Sequence, residues 1–180
     1  MSARKLVYTA LLAVLTAVGA FLRIPLGVSS ITLQFLFSAM AGVLLGPGCG
    51  ALSQGVYVAL GLIGLPIFTA GGGFGYVLQP TFGFLLGLIP AAAVIGALTA
   101  RRTGYLTVLA AVLVGDLILY AVGVPYMYLI LHVYMQSAKT FPALLAAMLV
   151  YVPGDTLKIV VVTALAPVLR RTLAKAVPNL

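Results

Sequence analysis

Apolar residues run through this chain in long blocks, and the polar residues gather in the gaps between them. The blocks predict six helices, at residues 5–22, 32–45, 51–65, 81–100, 105–121 and 155–173. The runs are too continuous and too rich in Leu and Ala for the alternating strands of a membrane barrel. The second and third blocks fall short of the roughly 20 residues that cross a bilayer. They flank the turn Gly46-Pro47-Gly48-Cys49-Gly50, so they predict a tight hairpin shielded by its neighbours. Residues 126–151 are apolar but interrupted at Pro142 and at the polar run Gln136-Ser137-Ala138-Lys139-Thr140, just after Pro125. That pattern predicts an extension of the fifth helix and a short interfacial helix. A seventh span is the alternative, and it would put the two termini on opposite sides.

Composition turns this pattern into a class. Of 180 residues, 63% are hydrophobic and 7% charged, against about 25% charged in soluble domains. Too little polar surface is available to cover a soluble particle. The expectation is a single all-α polytopic membrane domain over residues 1–180, because backbone in lipid must satisfy its own hydrogen bonds. The net charge of +8 does not signal nucleic acid, since the bases sit at the ends of apolar runs and no reader motif occurs. With both termini cytoplasmic, Arg4, Lys5, Arg101, Arg102, Arg170, Arg171 and Lys175 lie inside and only Arg23 and Lys139 outside, as the positive-inside rule demands. The first block follows Arg4 and Lys5 like a signal peptide, but it is too long and lacks a small-residue cleavage site before Arg23 and Pro25. One cysteine (Cys49) and one histidine (His132) exclude an internal disulfide, a multi-cysteine metal site and a two-His zinc motif. No phosphate-binding Gly-x-x-x-x-Gly-Lys-Ser/Thr loop occurs. Uphill transport would need ATP hydrolysis on another chain.

Only two acids are present, and both fall in apolar blocks. Ionisable groups in a span are costly and usually face a cavity, a partner or a substrate. Asp155 and Lys158, in Pro153-Gly154-Asp155-Thr156-Leu157-Lys158, share one helix face at i,i+3 spacing. Asp155 is placed to cap the sixth helix, and Lys158 to reach the interface. The same geometry predicts the polar end of a small-molecule pocket near the outer face, with Lys158 for a ligand carboxylate and Asp155 for ligand N–H donors. Asp116 lies in the middle of the fifth helix. Paired with Asp155 it would suggest an intramembrane aspartyl hydrolase, but the two are expected at different depths. A serine hydrolase lacks its Gly-x-Ser-x-Gly.

Four glycines among residues 71–75, with Phe68, Phe74 and Tyr76 as apolar anchors, predict a mobile connection able to cover an outward-facing pocket. No base lies in that connection, which argues against a phosphate cradle. On the first helix, Ala13 and Ala17, extended by Thr9 and Ala20, form a small-residue face. Such faces permit close approach, either within one bundle or to a partner helix. His132 reads as a hydrogen-bonded structural residue.

Taken together, Ile31-Thr32-Leu33-Gln34, Leu44-Leu45-Gly46-Pro47, Tyr57 with Gly61-Leu62-Ile63-Gly64-Leu65-Pro66-Ile67-Phe68, Gln79-Pro80-Thr81-Phe82-Gly83-Phe84-Leu85-Leu86-Gly87 and Pro153-Gly154-Asp155-Thr156-Leu157-Lys158 span nearly the whole chain. In this order they resemble BioY, the family of biotin-specific substrate-binding (S) components of energy-coupling-factor (ECF) transporters. Phe82 stands where the family usually has a small residue, and Phe84 where it usually has a tyrosine. The resemblance implies six transmembrane helices with both termini cytoplasmic, in the cell membrane, and a biotin-uptake subunit that is not itself an enzyme. It implies no cofactor, with biotin as the transported ligand. It implies docking through Ala13 and Ala17 onto a coupling transmembrane protein that carries two ATPase subunits. Asp155 and Lys158 match the ligand-contacting pair, and Gln34, Tyr76, Gln79 and Thr81 are added as polar contacts. An S component for another vitamin is the alternative.

Overall fold

A computed structural model describes residues 2–26 and 29–176. Helix α1 spans Ala3–Phe21, and Ser2 caps it by accepting from the Lys5 amide at 3.3 Å. A small antiparallel hairpin follows, β1 (Arg23–Leu26) and β2 (Ser29–Thr32), with Arg23 opposite Thr32. Next come α2 (Gln34–Leu62), a 3₁₀ turn at Phe74–Leu78 and α3 (Phe82–Thr99). Helix α4 (Tyr105–Leu129) continues into a π turn at Ile130–Tyr134. The short α5 (Phe141–Met148), a 3₁₀ turn at Leu149–Tyr151 and α6 (Val152–Ala176) complete the described chain. The hairpin strands were not expected from the sequence. The extension of the fifth block and the short helix after it both form.

Five helical stretches are long and apolar enough to cross a membrane: Ala3–Phe21, Gln34–Leu62, Phe82–Thr99, Tyr105–Tyr134 and Phe141–Ala174. The second is bent back on itself. Gly46 has φ 78°, ψ −177°, a conformation open essentially only to glycine. A β-carbon on Gly50 would sit 3.0 Å from the α-carbon of Gly42, eight residues earlier; in a straight helix those residues would be about 12 Å apart. Gln34 Nε2 donates to the Tyr57 hydroxyl at 2.7 Å across the fold. Residues 34–45 and 47–62 therefore form the hairpin that the glycine-proline turn predicted.

Lipid offers no hydrophobic drive between helices, so their association rests on close packing and hydrogen bonds. The interior fits that rule. Large side chains such as Tyr57, Ile95, Val108, Val112 and Val162 are fully buried among Ala39, Ala91 and Ala166. Outward faces carry Val7, Leu106 and Leu117, at 64%, 83% and 69% exposure, as a lipid-facing surface requires. At one end of the bundle, Arg170 on α6 donates to the carbonyls of Thr99 (2.6 Å) and Ala100 (3.3 Å), closing the C-terminus of α3. The opposite end gathers the β-hairpin, the connection 63–81, the second half of α4 and the start of α6, and it holds the cavity. His132 stacks on Tyr128 with centroids 5.4 Å apart.

Candidate functional site

The start of α6 is set by Gly154. A β-carbon there would lie 2.8 Å from Ile31 Cγ2, so glycine lets the helix press against β2. Helix α6 begins at Val152, three residues before Asp155. Asp155 is thus a first-turn residue and not the cap that the sequence suggested, because the 3₁₀ turn at Leu149–Tyr151 runs directly into the helix. Its side chain is free to turn inward. One carboxylate oxygen pairs with the Lys158 ammonium, and the other accepts from the Tyr120 hydroxyl of α4. Both charged residues are buried, at 6% and 7% exposure. A carboxylate in the first turn also gains from the helix dipole, and each of its oxygens keeps a lone pair beyond the contacts it makes.

The pair faces a cavity of about 190 Å³. Gln34, Tyr76, Gln79, Thr81, Asp155 and Lys158 all line it, so the six residues singled out as ligand contacts converge. They are not equivalent. Gln34 is a link in a relay: Thr32 Oγ1 donates to its Oε1 (2.9 Å), its Nε2 donates to Tyr57, and the Tyr57 hydroxyl donates to the Ile67 carbonyl (3.1 Å). Tyr76 is buried, and its hydroxyl pairs with Thr69 Oγ1 at 2.8 Å. Gln79 and Thr81 make no side-chain hydrogen bond with the described residues and face the cavity unengaged. Phe84, one of the two departures from the family pattern, forms part of the wall and meets Tyr120 edge-on at 5.8 Å. Phe82, the other, is buried behind the wall between Tyr76 and Tyr126.

The glycine-rich connection forms the roof. Phe68 and Tyr76 anchor it, with exposures of 1% and 5%, while Phe74 is 79% exposed and anchors nothing. An aromatic series runs from Tyr57 through Phe68 to Tyr76, with centroid spacings of 5.5 and 4.6 Å. Gly73 donates to the Gly61 carbonyl at 2.7 Å, and the Tyr126 hydroxyl to the Val77 carbonyl at 2.6 Å. Positive φ at Gly71 and Gly73 folds the connection down onto the bundle.

The sequence did not single out Arg23, Tyr120 or Tyr151, all of which line the cavity. Arg23 was assigned only to an external flank, and the two tyrosines sit in apolar stretches with no pattern to mark them. Asp116 stays outside the lining. It lies one helical turn before Tyr120 on α4. Its Oδ1 is buried without a hydrogen-bond partner among the described residues, and the Asp155 oxygens are taken by Tyr120 and Lys158. The two acids do not form the proton-sharing dyad of a hydrolase. Ala13 faces inward, 3% exposed within the core, and Ala17 packs at its margin.

This arrangement, a paired acid and base beneath a pinned glycine-rich roof, agrees with a match to the BioY family over residues 1–175. The chain belongs to the BioY family. It is 49% identical over 142 residues to the probable biotin transporter BioY of Lysinibacillus sphaericus, which spans 78% of this chain and 72% of that protein. It is 38% identical to the biotin transporter BioY of Rhodobacter capsulatus, over 93% and 90% of the two chains. A solved S-component for biotin from an ECF-type ABC transporter superposes with a TM-score of 0.84 at 30% identity, covering 95% of each chain. These BioY relatives are transporters by name, and the resemblance drawn from the sequence holds.

Proposed function

We propose that the protein is the membrane-embedded biotin-binding S component of an ECF-type uptake system. The observation that carries this reading is the buried Asp155–Lys158 pair, braced by Tyr120 and facing the cavity. Biotin's ureido group presents N–H donors beside a carbonyl acceptor. A carboxylate in contact with an ammonium presents the complementary acceptor and donor within the same short distance. Since Asp155 and Lys158 touch, they serve one end of the ligand and not its two ends, so the role expected for Lys158 moves from the carboxylate to the ureido carbonyl. Phe84, Leu85, Leu88 and Met148 supply apolar walls for the ring and chain. Gln79 and Thr81 are the unengaged polar groups for remaining ligand atoms.

The hairpin at Gly46 supports a count of six membrane crossings, in which the start of α1, the Arg101-Arg102 turn and the last turns of α6 lie on the cytoplasmic side of the cell membrane. Lys175, the seventh of the bases assigned there, falls outside the described side chains. Cys49 adjoins the Gly46 turn, so an impermeant thiol reagent should label it in inverted vesicles and not in intact cells. Partner modules, a coupling transmembrane protein with two ATPase subunits, dock along α1. There Ala13 and Ala17 act by letting α1 lie close on its neighbour, and the outward stripe of Val7, Leu11, Val14 and Val18 is available for contact. Purified protein should bind labelled biotin saturably, with neither riboflavin nor thiamine competing. Absence of saturable binding, or displacement by either of those vitamins, would overturn the assignment.

A further inference from the structure

The deep pair leaves the far end of the ligand without a charged partner. Lys158 is neutralised by Asp155, so it offers no spare charge to a carboxylate. One other base lines the cavity among the described residues, Arg23. It stands on β1 at the exposed rim, on a different element from the pair, and the pair lies deeper and buried. Its Nη1 donates to the Thr69 carbonyl of the roof. That contact uses one of five N–H donors, and no carboxylate among the described residues pairs with Arg23. An arginine fork matches a carboxylate with two parallel hydrogen bonds.

We propose that Arg23 is the residue that recognises the ligand's carboxylate, and that the site therefore selects the free acid. The ligand enters ring first; its acid stops at the rim, where Arg23 grips it while holding Thr69. The β-hairpin, the ligand and the roof are thereby joined through one guanidinium. The ring end of this arrangement rests on the biotin reading above, but capture of the carboxylate is tested separately.

The test compares biotin with biotin methyl ester on purified wild type, Arg23→Ala and Arg23→Lys. Wild type should prefer the acid by at least about tenfold, since a charge-assisted pair contributes about 1.5–3 kcal/mol. Arg23→Ala should erase the preference by weakening the acid and leaving the ester unchanged, so the ester reports that the site is intact. Arg23→Lys should keep part of the preference. Equal binding of acid and ester by wild type would overturn the role of Arg23 while leaving the biotin assignment standing. Equal weakening of both ligands in Arg23→Ala would reduce Arg23 to a roof tie and overturn the proposal. Binding of neither ligand by wild type would remove the biotin assignment and this inference together.

Discussion

The two ends of the bundle are closed by different means. At the Gly46 end, main chain meets main chain. A β-carbon on Gly96 would stand 2.5 Å from the backbone of Gly46 and Pro47, and Arg170 fills the last carbonyls of α3. At the other end, side chains form the ties: Thr32 to Gln34 to Tyr57, Arg23 to Thr69, Tyr126 to Val77, Tyr120 to Asp155. Backbone contact is close, and at the Gly46 turn it leaves little space. Side-chain ties hold elements a residue's length apart, and the space between them becomes the cavity. One bundle is thus sealed at one end by backbone contact and kept open at the other by side-chain ties.

This contrast breaks if binding and stability do not separate by end. The largest effect expected is for Lys158→Ala. It leaves Asp155 buried beside an unmatched ligand carbonyl, and biotin affinity should fall by roughly 2–5 kcal/mol, read from saturation binding of labelled biotin. Tyr120→Phe removes one donor from Asp155 and keeps the ring against Phe84. Affinity should fall by roughly 1.5–3 kcal/mol, the range for hydrogen bonds to a charged group, with thermal stability in detergent nearly unchanged. At the sealed end the signs exchange. Gly46→Ala forces a β-carbon into a glycine-only conformation and should cost roughly 1–3 kcal/mol of stability, seen as a lowered melting temperature with biotin affinity kept. Arg170→Ala, with a partly exposed side chain, should cost about 1 kcal/mol and likewise spare binding. A large affinity loss in either sealed-end variant would show that the two ends are coupled.

Burial explains why the site was only partly legible. Asp155 and Lys158 stood out because charge in an apolar block is rare, and Gln34, Tyr76, Gln79 and Thr81 were reached through the family pattern. Arg23 was read only for orientation, because the same residue type at a span's end serves that purpose in any membrane protein, and its place in the cavity lining left no trace in the sequence. Tyr120 carries no periodic signal, since a tyrosine on α4 can face lipid, core or cavity with equal ease. Ala13 shows the reverse case: small residues on α1 promise close approach, but only packing reveals that the neighbour is the protein's own interior.

The sequence by itself determined the membrane class, the helical runs, the hairpin at Gly46 and the family, because hydropathy, glycine and proline act locally and leave periodic traces. Tertiary structure alone decided that Asp155 and Lys158 form a single polar station, that Tyr120 braces it, and that Arg23 reaches the cavity rim. Those facts depend on which side chains meet across α4, α6, the β-hairpin and the roof, and distance between elements is not written in the order of residues along a chain.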